Sequence, residues 1–253
     1  FFVSIKIEQL AYDVWVEYDT RRFSSLLYQG FCMKLLALET ANEQCSVSLI
    51  DDTQELYFQL DERTKAQTQT ILPMIEQGFE QTQIKNEQLT AIAFSRGPGS
   101  FSGVRINAAV TQALAWANDI PVIPVSTLQA LAQAAFRLLQ LTEVTAVLDA
   151  RMKEVYMASF KLDQNNIMQL VDEEKLLDYQ LAVEYQKYTL VGSGSALVKE
   201  EAIELRHITA TAEDIATIAR QNAIEKHWFS AEQALPVYLR DDAWKKIAEQ
   251  GKP

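Results

Sequence analysis

The residues able to do chemistry are few. His207 and His227 are the only histidines, and neither sits in a His-x-x-x-His or His-Glu-x-x-His spacing, so they do not assemble a zinc ligand set. Cys32 and Cys45 form neither a disulfide framework nor a metal pattern, which fits a reducing cytoplasm. Gly192-Ser193-Gly194-Ser195 lacks the spacing of a nucleophile elbow. Two carboxylates are better placed. Glu39 and Asp149 each close an apolar, strand-like run, where a carboxylate could hold a Mg²⁺-bound phosphate across a cleft. However, Glu39-Thr40-Ala41-Asn42 has no glycine to let a phosphate approach the backbone, and Asp149 has Arg151 beside it. A turn bond or a structural ion pair is the expectation for both. No catalytic residue and no metal ligand is assigned.

The most distinctive stretch is Ser95-Arg96-Gly97-Pro98-Gly99-Ser100-Phe101-Ser102-Gly103-Val104-Arg105-Ile106. The apolar run 89–94 ahead of it reads as a buried strand, and 103–118 behind it as a helix. A glycine-rich elbow between strand and helix is a common phosphate site, because the first N–H groups of the helix are free. This one lacks the parts. Val104-Arg105 follow Gly103 where a P-loop needs Lys and a hydroxyl residue. Ser102 occupies the third glycine position of a dinucleotide fingerprint, and Pro98 removes an N–H. The loop residues Arg96, Gly97, Pro98, Gly99, Ser100, Phe101, Ser102, Gly103 and Arg105 are therefore expected to form a tight turn, whose glycines allow positive φ and a close helix–strand approach.

The helix over 103–118 is apolar most of the way round; its polar residues are Arg105, Asn107, Thr111, Gln112 and Asn118. That is wider than the stripe of a surface helix, so one side should pack on a sheet and the other either on a second domain or another chain, or inside one larger domain. A companion helix is expected over 66–82, where Ile71, Leu72, Met74, Ile75 and Phe79 recur at helical spacing. The net charge of −11 argues against a broad phosphate-binding surface. No apolar run is long enough to span a membrane.

Residues 1–32 are rich in aromatics and carry no secretory-signal pattern. Met33 opens the first clear strand, so 1–32 is expected to be an N-terminal extension outside the native fold. Strands over 34–38, 45–50 and 55–60 form a meander, followed by the two helices, a strand at 120–125 and a helix from the Ser126-Thr127 cap to 139. This is a first half, 33–142. A second half, 143–240, begins again with strands at 144–149, 154–162 and 167–171. A helix at 178–186, a strand at 188–192, a Thr211-capped helix to 226 and an extended piece at 236–240 complete it. Residues 241–253, with the basic-aromatic run Ala243-Trp244-Lys245-Lys246-Ile247, read as a tail. The class is α/β: two mixed sheets flanked by helices, meeting at a cleft.

From Met33 onward the chain resembles the bacterial TsaB (YeaZ) family. The pieces that carry the resemblance are Met33 to Ala41, the elbow, Pro124-Val125-Ser126-Thr127-Leu128, Asp149 to Tyr156 and Pro236-Val237-Tyr238-Leu239-Arg240. It implies an actin/Hsp70/sugar-kinase (ASKHA) fold with two ribonuclease-H-like subdomains. It implies a non-catalytic accessory subunit in the synthesis of threonylcarbamoyladenosine at position 37 of ANN-decoding tRNAs. The partners so implied are a TsaD-type transferase, in a heterodimer, and the ATPase TsaE, with tRNA engaged indirectly through the complex. ATP and a divalent metal are expected in those partners and none on this chain alone. The resemblance further implies an interface bundled from first-half helices of both proteins. Carried onto 66–82 and 103–118, its contacts are Ile71, Ile75, Phe79, Val104, Ala108, Thr111 and Ala115. Without the partner the same surface could drive homodimers. The chain departs from the family at Glu39, where many members have Asp, at Ser102 for Thr, at Asn107 for Gly and at Gln67 for His. The alternative is an ATP-dependent kinase of the same superfamily, which the missing glycines near Glu39 disfavour.

Overall fold

A computed structural model describes residues 2–6, 15–19 and 33–240; what is expected of the remainder of 1–32 and of 241–253 lies outside the described residues. The chain separates into two units, Phe1–Met33 and Lys34–Pro253. In the first, β1 (Phe2–Lys6) and β2 (Trp15–Asp19) pair antiparallel.

In the second unit, the apolar run at its start becomes the middle strand of a sheet. β3 (Lys34–Glu39), β4 (Cys45–Asp51) and β5 (Glu55–Asp61) form the antiparallel meander. β6 (Ala91–Gly97) and β7 (Val122–Ser126) add in parallel, giving the order β5-β4-β3-β6-β7. Leu35, Leu36, Ala37 and Leu38 are all fully buried, because helices cover both faces of β3. On one face lie α1 (Gln67–Thr82) and α2 (Phe101–Asn118); Ile71, Ile75, Ala108 and Ala115 pack there on Leu36, Leu38, Val47, Ile92 and Phe94.

The second sheet is built from β8 (Glu143–Arg151), β9 (Glu154–Leu162), β10 (Met168–Leu170), β11 (Lys175–Asp178) and β12 (Thr189–Val191). Both β10 and β11 pair with β9, while β12 runs parallel to β8. The short helices α4 (Tyr179–Tyr185) and α5 (Ser195–Val198) belong to its outer core, with Ala182 and Val198 against Val147 and Val155.

Between the sheets lie α3 (Thr127–Leu139) and α6 (Ala212–Ile224), packed on each other. Each serves the half it does not belong to by chain order. α3 sends Leu128, Leu131, Ala132 and Ala135 into the core of the second sheet, and α6 packs on β3, β4, β6 and β7 of the first. The layers therefore run helix, sheet, helix, sheet, helix, and packing crosses the boundary at residue 142.

The elbow differs in one respect from its expected form. β6 continues through Ser95 and Gly97, which pair with Val125 and Ser126 of β7, so the connection shrinks to 98–100. α2 then begins at Phe101 rather than at 103, because the Ser100 hydroxyl caps it by accepting from the Gly103 N–H at 3.4 Å.

Candidate functional site

The glycines of the elbow are occupied by the chain's own backbone. A Cβ on Gly99 would lie 2.3 Å from the carbonyl oxygen of Ala41, and one on Gly103 2.0 Å from that of Thr40. The two segments are stitched together: the Ser100 N–H donates to Ala41 O at 2.7 Å, and the Thr40 hydroxyl donates to Gly103 O at 2.8 Å. Gly97 alone uses its conformational freedom, at φ +101°. The close approach is thus chiefly to the β3–β4 loop.

Glu39 ends β3 beneath this contact. Its carboxylate is 1% exposed; Oε1 accepts from the N–H groups of Ala41 (2.5 Å) and Asn42 (3.3 Å), and Oε2 has no hydrogen bond among the described residues. Burial pushes its pKa up from 4.5 to about 7, against the opposing pull of the Ser95 hydroxyl and those two N–H groups; the charge of Asp214 adds to the rise. Asn107 donates through Nδ2 to Leu38 O, Ser95 O and Ser95 Oγ at 2.7 to 3.2 Å. Asp149 is paired with Arg151 at 3.0 Å, and Arg151 also reaches Glu43 at 3.6 Å. Both carboxylates are therefore held in structural contacts. His207 and His227 are exposed and apart, and among the described residues no cluster of His, Cys, Asp or Glu could hold a metal.

The anticipated interface residues require a correction. Ile71, Ile75, Val104, Ala108, Thr111 and Ala115 are at most 5% exposed, because they are the face that α1 and α2 lay on the first sheet; only Phe79 reaches the surface in part. The outside of this layer is a different set. On α2 it is Ala109, Ala113, Ala117 and Trp116, the last 66% exposed, with Ile106 and Val110 half-buried beside them. On α1 Leu72 is 55% exposed and Phe79 half-buried, among the exposed Gln69, Pro73, Glu76, Gln77 and Glu80. Arg105 is the only charged residue in the whole of α2. An outward helical face with so little charge is unusual for a surface that meets only water.

Loop and strand residues outside the expected site join the elbow to the second sheet. Arg96 is bound to both carboxylate oxygens of Glu174 at 3.1 Å, and its carbonyl accepts the Val237 N–H at 2.8 Å. Arg240 reaches Glu154 and, at 3.1 Å, the carbonyl of Ala150. The motif pieces quoted from separate parts of the sequence thus meet at one place. No local sequence pattern signals Glu174, which lies between a turn and a four-residue strand.

Two mixed sheets sharing a central helix layer give an ASKHA-type fold. Residues 62–243 match the family model described as TsaD, tRNA N6-adenosine threonylcarbamoyltransferase. The TsaB protein of Escherichia coli is 39% identical over 229 residues, covering 85% of this chain and 98% of that one. TsaB of Haemophilus influenzae is 35% identical over 85% of this chain and 97% of its own length. Among solved structures, YeaZ from Pseudomonas aeruginosa superposes with a TM-score of 0.73 at 34% identity, covering 82% of this chain and 100% of that one. The chain belongs to the TsaD family in the broad sense of that model and, more narrowly, to TsaB (YeaZ). Its place is in tRNA threonylcarbamoyladenosine biosynthesis. Among the described residues, no helix is long and apolar enough to cross a membrane.

Proposed function

We propose that this chain is a non-catalytic, cytoplasmic subunit that binds and activates a TsaD-type transferase. The observation that carries this reading is the outward face of α1 and α2, where Leu72, Ala109, Ala113, Trp116 and Ala117 lie exposed. The chain itself matches the TsaD family model, so its paralogue should present an equivalent helical layer. Two such layers can meet about a pseudo-two-fold axis, the arrangement that also permits homodimers when the paralogue is absent. TsaE and tRNA would join through the transferase, and ATP and the divalent metal would be bound by those partners. The elbow packed on the β3–β4 loop and the structurally engaged Glu39 and Asp149 support a chain without a nucleotide site of its own, and disfavour the kinase alternative.

Activation, on this reading, is a matter of position. Covering the apolar face fixes the partner's matching helices and, through them, the geometry of its active site. The test is calorimetric titration of the TsaD-type partner with wild type and Trp116→Arg, followed by a threonylcarbamoylation assay. Because Trp116 is exposed, the variant should keep the wild-type melting temperature while losing at least about tenfold in affinity. Undiminished binding by a folded Trp116→Arg protein would reject this surface.

A further inference from the structure

The exposed stripe of α2 does not stop at its N-terminal end. It passes Ala113 and Ala109 and arrives at Arg105 and Phe101, the latter 58% exposed. There the Arg105 guanidinium carbon lies 3.3 Å from the centroid of the Phe101 ring and 5.3 Å from that of Tyr238. The two rings are 6.5 Å apart and inclined at 46°, and Tyr238 is 43% exposed. Two aromatic rings around one guanidinium, half open to solvent, is the composition that dominates binding energy at protein interfaces.

Tyr238 does not come from α2. It is carried by the extended segment 236–240, which is fixed on either side of the ring. Val237 is held to the carbonyl of Arg96, and Arg240 to Ala150 and Glu154. The ring is thus positioned by bonds made by its neighbours along the chain, so little of its freedom remains to be lost on binding. Charge decides between the two classes of macromolecule such a cluster could meet. Arg96, Arg151 and Arg240 around it are each matched by Glu174, by Asp149 and Glu43, and by Glu154. On a chain of net charge −11 that leaves little surplus positive potential for a nucleic-acid backbone. A protein surface is favoured, and continuity with the α2 stripe says which one.

We infer that Phe101, Arg105 and Tyr238 are the second part of the TsaD-type partner's footprint, so that the C-terminal strap contributes a residue to an interface otherwise built by α1 and α2. This rests on the pairing proposed above. It also gives the exposed Phe101 and the half-buried Arg105 of the first turns of α2 a role that the packing of Gly99 and Gly103 does not explain.

The experiment titrates the TsaD-type partner with wild type, Trp116→Arg, Phe101→Ala and Tyr238→Ala, with melting curves as the folding control and mobility shift of tRNA by the assembled complex as a second readout. Phe101→Ala and Tyr238→Ala should each raise the partner's Kd about tenfold. Tyr238→Phe, which keeps the ring, should bind as wild type. Unchanged Kd for both alanine variants, alongside lost binding by Trp116→Arg, would overturn this inference and leave the pairing standing. Wild-type binding by all three would reject the outward face of α1 and α2 as the contact surface, and this inference with it. Loss of tRNA binding with unchanged partner affinity would assign the cluster to RNA and also overturn the inference.

Discussion

Glu39 shows how far a single residue's role can be read from its neighbours in sequence. The absence of glycine in Glu39-Thr40-Ala41-Asn42 points to a turn bond, and Ala41 and Asn42 do donate to its carboxylate. The depth of burial is not legible, because it depends on the elbow and on α6 arriving from far along the chain. That burial has a measurable consequence. The folded-state pKa of about 7 lies above the ordinary 4.5, so between these values the folded protein holds a proton that the unfolded chain has released. Stability must therefore fall as pH rises through this window, by roughly 3 kcal/mol in total, and the deficit is complete above it. Glu39→Gln keeps an acceptor for the two N–H groups and cannot ionise. In urea unfolding it should match wild type near pH 4 and exceed it by about 3 kcal/mol at pH 8. Equal stability of the two proteins at pH 8 would mean that Glu39 carries its charge without penalty.

At the scale of the element, the sequence shows α2 as a helix with too little polar surface to mark its outside, but not which face packs on the sheet. A helix apolar nearly all round offers no polar side to mark its outside, and the step from Ala108 to Ala109 turns the side chain by about 100°. The sheet takes the small residues Ala108 and Ala115, since close approach to strands demands them, and Ala109, Ala113 and Trp116 are left outside. Hence one helix should give opposite outcomes for the same substitution. Ala115→Arg places a charge at a site with 0% exposure and should destabilise the fold by several kcal/mol, visible as a large drop in melting temperature. Ala113→Arg should melt as wild type and fail only in partner binding. If the two variants melted alike, the assignment of inside and outside on α2 would be wrong. The sequence does not signal β11 for a related reason: four residues following Glu173-Glu174 carry too little periodicity to stand out, and only pairing with β9 makes them a strand.

For the whole molecule, the sequence repeats a meander-then-helix order, which invites a division into residues 33–142 and 143–240. Packing does not respect that division. α3 belongs to the first segment, yet Leu128 and Leu131 are buried against the second sheet, and a Cβ on Gly192 at the end of β12 would lie 2.4 Å from Leu131 Cδ2. α6 belongs to the second segment, yet it covers the first sheet, and the Ala212 N–H donates to Ser46 Oγ at 2.9 Å. Arg137 of α3 grips both oxygens of the fully buried Asp214 of α6 at 2.9 Å, so the central helices are tied to each other as well as to opposite sheets. A polypeptide ending at residue 142 would expose one face of its sheet and the apolar face of α3 together, at roughly 1.5–3 kcal/mol for each large side chain. The complementary fragment would leave α6 without a sheet and its own sheet without α3. For domains whose total stability is about 5–15 kcal/mol, losses of that size are decisive. Expressed separately, 33–142 and 143–240 should each lack cooperative thermal unfolding and dispersed amide resonances, whereas 33–240 should show both. Cooperative melting of either fragment alone would demonstrate that the exchange of helices is dispensable, and that each sheet can close its core from its own segment.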